Sequence, residues 1–88
     1  MIIFYRKKFL KDLSKIPEKY RTRIEQFVFE EIHQIPSIAE HRKIEKMSGY
    51  PDYFKIRFGE YRVGLQINED ELTFERVLHR KEIYKYFP

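Results

Sequence analysis

The spacing of apolar residues along the chain changes period repeatedly, and each change predicts an element. Ile2-Ile3-Phe4-Tyr5 is a short run of β-branched and aromatic residues, the composition of a strand. From Lys7 the spacing turns helical, with Phe9, Leu10, Leu13 and Ile16 on one face. Pro17 breaks that helix and suits the first position of a second. There Tyr20, Ile24, Phe27, Val28, Ile32 and Ile35 form an apolar stripe, with Arg21, Arg23, Glu25 and Glu30 turned outward. Pro36 ends it. Residues 37–50 predict a loop with one helical turn that closes at Ser48-Gly49. Beyond Pro51-Asp52 the period is two, and strands are predicted over 53–58, 61–67 and 72–79. Residues 81–87 form a short terminal helix, with Ile83 and Phe87 four apart. The order is β-α-α-β-β-β-α, one α+β domain over 1–88 with helices packed on one face of a small antiparallel sheet.

Only Gly59 and Glu60 separate Phe58 from Tyr61. Gly-X in a two-residue loop fits a type II′ hairpin turn, whose first position needs a positive φ. That turn sets Phe58 opposite Tyr61, Arg57 opposite Arg62, Ile56 opposite Val63 and Lys55 opposite Gly64. Phe54, Ile56, Phe58, Tyr61, Val63 and Leu65 then form the face for the helices to cover. Tyr53, Lys55, Arg57, Arg62, Gly64 and Gln66 form the other. Like charges directly across a ladder repel, so Arg57 facing Arg62 is unfavourable for stability alone. The pair makes sense where an anion such as a phosphate sits between two guanidiniums. Gly64 removes a side chain where a ligand backbone can approach.

A turn over Asn68-Glu69-Asp70-Glu71 pairs Leu72 with Ile67. It points Leu72, Phe74, Leu78 and, awkwardly, Arg76 inward, which calls for a bulge near Arg76 or a snorkelling side chain. The strand then delivers His79 and Arg80 beside Arg62, with Tyr84 four residues further on, on the same side.

Composition narrows the classes. With 88 residues the core is modest, and seven Tyr and eight Phe compensate through the area each buries. A formal net charge of +4 favours nucleic acid or an acidic protein as partner. Because the basic excess is spread over both halves, any basic patch must be made by folding. The absence of cysteine excludes disulfides and zinc–thiolate sites. The short apolar run Met1 to Tyr5 comes before the basic residues that follow it, the reverse of a secretory leader, and no segment has the length of a membrane span. A cytoplasmic protein is expected. His33 and His41 are too scattered for a metal site. The run Arg6-Lys7-Lys8 with Lys11 reads as a solvated helix start.

The segment Gly49-Tyr50-Pro51-Asp52-Tyr53-Phe54-Lys55-Ile56-Arg57-Phe58-Gly59-Glu60-Tyr61-Arg62, followed by Val77-Leu78-His79-Arg80-Lys81-Glu82-Ile83-Tyr84, resembles the RelE family of toxins. The first part matches its Gly-x-Pro-x-Tyr-Tyr-(Lys/Arg)-Ile-(Arg/Lys) hairpin, with Tyr-Arg after the turn. The second matches its His-Arg-(Lys/Arg)-x-(Ile/Val)-Tyr ending. The resemblance implies a toxin of a type II toxin–antitoxin pair, silenced by a cognate RelB-like antitoxin. It implies an endoribonuclease (messenger RNA interferase) that works in the ribosomal A site without metal or other cofactor, the RNA's own 2′-hydroxyl attacking.

Lys55, Arg57, Arg62, Arg80 and Tyr84 fall on the family's functional positions. Arg62 and Arg80 suit charge stabilisation at phosphorus, Tyr84 suits base stacking, and Lys55 suits proton transfer. Where some members carry a second lysine this chain has Arg57, a poor base because guanidinium stays protonated. His79 is the substitute, since imidazole titrates near neutrality, and Glu60 at the turn tip is a weaker candidate. A ParE-like toxin acting on DNA gyrase without cleaving RNA is the alternative on the same scaffold. A plain basic nucleic-acid-binding domain is a third reading.

Overall fold

The computed structural model describes residues 1–88, apart from the side chain of Ala39. Strand β1 spans Ile2–Tyr5, and helix α1 spans Lys7–Ser14. Pro17 stands at the N-cap of α2, Glu18–Glu25, one position before its expected place. The helix continues through a π-helical turn, Gln26–Glu30, and a 3-10 turn, Glu31–Gln34. The wider π turn shifts the hydrogen-bond ladder, and the Tyr5 hydroxyl donates to the Val28 carbonyl there.

Residues 37–50 do more than connect. After a 3-10 turn at Ile38–Glu40, Ile44–Lys46 pairs with the next strand as β2. Three residues are too few to show a period, which is why the spacing gave no sign of it. β3 is Tyr53–Phe58, β4 is Tyr61–Asn68, β5 is Glu71–His79, and α3 is Ile83–Tyr86.

The five strands lie in the order β1-β5-β4-β3-β2. All neighbours are antiparallel except β1 and β5, so the sheet is mixed rather than purely antiparallel. The β3–β4 register is the expected one at every pair, with Arg57 opposite Arg62 and Lys55 opposite Gly64. Gly59 has φ +60°, as the first position of the turn requires. The Tyr20 ring lies 3.1 Å from where its Cβ would stand, a second reason for glycine.

α1 and α2 cover one face. Phe9, Leu13, Ile24, Phe27, Val28 and Ile32 pack there on Ile56, Val63, Leu65, Leu72, Phe74 and Val77. Each such side chain stabilises by about 1.5–3 kcal/mol relative to exposure. Leu10, expected in this interface, is 44% exposed. It lies about 100° round the helix from Phe9, and only the Phe9–Leu13 edge meets the sheet.

Of the two remedies expected near Arg76, a bulge and a snorkelling side chain, the strand uses both. Gly64 pairs with Arg76 and Leu65 with Phe74, which leaves Glu75 unpaired. Past the extra residue the alternation inverts. Val77, not Leu78, therefore enters the main core, and Leu78 joins the opposite face. Arg76 escapes burial by reaching the sheet margin, where its Nε and Nη2 meet both Asp12 oxygens at 2.7 and 3.1 Å. Asp12 also accepts the Val77 amide at 3.2 Å. β1 pairs with β5 only as far as Phe74, so the helix carboxylate serves the strand edge where no strand continues.

The second face is not bare. α3 crosses it, and Ile83 and Phe87 form a small cluster with Met47, bordered by Tyr53 and Leu78. The helices therefore occupy both faces rather than one, unequally. No helix is long and apolar enough to cross a membrane.

Candidate functional site

The hairpin places Lys55 on β3 and Arg62 on β4, on the face opposite α1 and α2, because alternate side chains of a strand share a face. The open space expected above Gly64 is filled. A Cβ there would lie 2.6 Å from the Phe87 ring, so this glycine admits an aromatic ring of the same chain and not a ligand. That seating anchors α3, and α3 brings Tyr84 over the sheet. Lys55 Nζ donates to the Tyr84 hydroxyl at 2.9 Å and lies 5.3 Å from the ring centroid. Tyr84 is 55% exposed, its ring free to stack.

The two opposed arginines share the face but do not converge. Arg57 Nε pairs with Glu45 of β2 at 3.0 Å. Arg62 Nη1 turns back to the Gly59 and Tyr61 carbonyls, at 2.6 and 2.9 Å. Without an anion, each guanidinium finds a partner of its own, which relieves the repulsion across the ladder. Carbonyl and surface carboxylate partners at exposed positions are weak enough for a phosphate to replace them.

A second cluster forms at the turn. Arg80 N–H donates to the Glu60 carbonyl at 2.8 Å, and Arg80 Nε donates to the Glu60 carboxylate at 2.7 Å. His79 Nε2 is 3.7 Å from the same carboxylate. The hydrogen bond from Arg80, then its charge and those of His79 and Arg62, hold the Glu60 carboxyl below the usual carboxylate range. Glu60 is thus more than a turn residue: it is the counter-ion shared by the cations at this end.

His79 stands one step past its expected position. Its strand partner is Tyr61, while Arg62 faces Leu78. By alternation it leans toward the helix-covered side, edge-on to Tyr61 with ring centroids 5.6 Å apart. Its Nδ1 accepts the Lys81 amide at 3.1 Å. A neutral ring in that arrangement carries its proton on Nε2.

Of the six expected residues, Lys55 and Tyr84 touch, and Arg57 and Arg62 lie alongside. Arg80 and His79 join them through Glu60. Glu45 was not foreseen, since it lies on the strand whose period could not be read. His33 is exposed, and His41 accepts the Lys43 amide and lies edge-on to Phe27. Among the described residues, no three His, Cys, Asp or Glu side chains are grouped to hold a metal ion.

Comparison with known proteins agrees with this architecture. The family described as the ParE toxin of the type II toxin–antitoxin system parDE matches residues 3–84. Toxin RelE3 of Methanocaldococcus jannaschii is 43% identical over 89 residues, all of both chains. The solved RelB–RelE antitoxin–toxin complex from Methanococcus jannaschii superposes with a TM-score of 0.79. It is 42% identical over 97% of this chain and 99% of that one. A free Escherichia coli RelE carrying two arginine-to-alanine substitutions shares the fold at a TM-score of 0.72, with 18% identity over 97% of this chain and 88% of its own.

Proposed function

Since the chain belongs to the RelE/ParE superfamily of type II toxin–antitoxin toxins, with RelE proteins among its relatives, we propose that it is an endoribonuclease that cuts messenger RNA in the ribosomal A site. The observation that supports this reading is the Lys55–Tyr84 contact on the strand pair that also carries Arg57 and Arg62, with Arg80 at the adjoining turn, each cation held by exposed and replaceable partners.

The reaction follows from those groups. The RNA 2′-oxygen attacks the adjacent phosphorus, a P–O bond forms, and the bond to the 5′-oxygen breaks, leaving a 2′,3′-cyclic phosphate and a free 5′-hydroxyl. Arg62 and Arg80 stabilise the charge that gathers on the equatorial oxygens, exchanging their carbonyl and Glu60 partners for phosphate. Tyr84 stacks on a base turned out of the strand. Lys55, held against Tyr84, takes the 2′-hydroxyl proton in its neutral amine form, and the ammonium so formed or water supplies a proton to the departing 5′-oxygen. His79 presents Nε2–H rather than a lone pair while Nδ1 holds the Lys81 amide. A neutral ring is too weak an acid to protonate the departing 5′-oxygen, so a role for His79 in proton transfer requires the ring to turn and release the Lys81 amide. Ribosome dependence follows if the A site supplies the orientation that this open face lacks.

RelE relatives have been solved in complex with RelB antitoxins, and a RelB-like antitoxin is the proposed partner here. The experiment is to add the purified protein to a translating extract and map message ends by primer extension. Cuts within A-site codons, with little cleavage of naked RNA, are expected. One observation favours a second reading: the matching family is described as ParE. Intact messages together with loss of gyrase supercoiling would establish that gyrase-directed reading instead.

A further inference from the structure

The helix-covered side of the β3–β4 turn carries another cationic surface, one that the cleavage chemistry leaves unused. Lys19, Arg23, Lys43 and Arg57 surround a groove of about 350 Å³ whose remaining wall is Tyr20, Phe58 and Gly59. No carboxylate lines it. Arg57 and Arg23 hold Glu45 and Glu31 at 3.0 and 3.3 Å, both outside the groove. Lys19 and Lys43 take part in no ion pair among the described residues.

Aromatic faces hold these cations instead. Lys43 Nζ lies 5.7 Å from the Phe27 centroid and 5.9 Å from that of Phe58. The Arg23 guanidinium is 5.9 Å from Phe58, and Lys19 Nζ is 5.5 Å from Tyr20. A cation–π contact positions a charge without neutralising it. Lys19 and Lys43 therefore border the apolar hollow without a counter-ion, beside Arg23 and Arg57, whose carboxylates lie outside it. A surface selected for stability alone would gain from a carboxylate there, because crowded like charges repel.

Arg57 belongs both to this groove and to the open-face set, so the two surfaces are continuous around the hairpin. A basic groove with aromatic walls matches single-stranded nucleic acid, whose backbone the cations follow while rings contact the bases. We propose that the groove bordered by Lys19, Arg23, Lys43 and Arg57 is a second RNA site. It binds the phosphodiester backbone of the message strand at nucleotides flanking the bond that is cut. The identity of the strand rests on the nuclease reading; the binding chemistry does not.

The test therefore measures binding alone. Lys19→Gln and Lys43→Met are made singly and together, the methionine keeping the apolar cover over Phe27 and Phe58. Lys8→Gln, on α1 across β4 and β5 from the groove, is the control. Affinity is measured for a labelled single-stranded oligoribonucleotide with a 2′-deoxy substitution at the cut site, and for ribosomes programmed with the same uncuttable message. The double variant should bind about tenfold more weakly, and its salt slope should fall by about 0.7 for each phosphate no longer neutralised. The control should match wild type. Unchanged affinity and slope on the oligonucleotide overturn the proposal, whether or not the protein cleaves RNA. An equal loss on ribosomes carrying no message assigns the groove to ribosomal RNA and overturns it as stated. A loss confined to binding of the antitoxin assigns it to an acidic peptide, with the same consequence.

Discussion

Replacing Gly64 with alanine probes the link between sheet, C-terminal helix and site. The added Cβ would stand 2.6 Å from two carbons of the Phe87 ring and 2.7 Å from a third. Carbon pairs rest at about 3.5–4.0 Å, so the ring must retreat by roughly 1 Å. Overpacking of this kind costs about 1–3 kcal/mol. Removing a glycine from a strand interior returns about 0.5–1 kcal/mol, which leaves a net loss of up to about 2.5 kcal/mol. For a domain of this length that lowers the melting temperature by about 4–8 °C per kcal/mol.

The interpretation turns on a double-mutant cycle with Phe87→Ala, which removes all three ring carbons that the Cβ would meet. In that background Gly64→Ala should keep only the gain of about 0.5–1 kcal/mol, giving a coupling of about 1–3 kcal/mol by chemical denaturation. Because Phe87 seats the helix that carries Tyr84, Gly64→Ala should also loosen the Tyr84–Lys55 contact. An equal cost in both backgrounds would falsify the packing argument.

Other outcomes test the remaining parts. Arg62→Ala and Arg80→Ala should each cut message cleavage by about 10²–10³-fold and relieve growth arrest. Their melting should stay close to wild type, since exposed ion pairs contribute little; full toxicity in both variants would remove the site assignment. Asp12→Ala strands a half-buried guanidinium and the Val77 amide together, and should cost about 2–4 kcal/mol. Faster amide exchange at Val77 should accompany it, and a loss below about 0.5 kcal/mol contradicts the edge-capping role. Glu60 has a lowered proton affinity in the folded state, chiefly through its hydrogen bond from Arg80. Its contribution is present above the ordinary carboxylate value of about 4.3 and fades as pH falls through the lowered folded value. The melting difference between wild type and Glu60→Gln should therefore be steady near neutrality and shrink on acidification. A difference that grows toward low pH refutes it.

Local chemistry alone decided much of this protein. The Gly59-Glu60 turn carries its own register rule, so the pairing of Arg57 with Arg62 and Lys55 with Gly64 was readable pair by pair. The helical stripe of α2 and its continuation, and the need for a bulge or a snorkelling side chain near Arg76, were likewise written in period and polarity. Tertiary structure decided the rest, because the forces involved act between segments distant in sequence. No local pattern showed that Phe87 would take the space above Gly64, or that β2 would bring Glu45 to Arg57. Nor could it show that one extra residue in β5 would exchange Val77 and Leu78 between faces. The direction of each cation was settled the same way. Attraction to Glu45 on one side and to turn carbonyls on the other parted two guanidiniums that the ladder alone sets side by side.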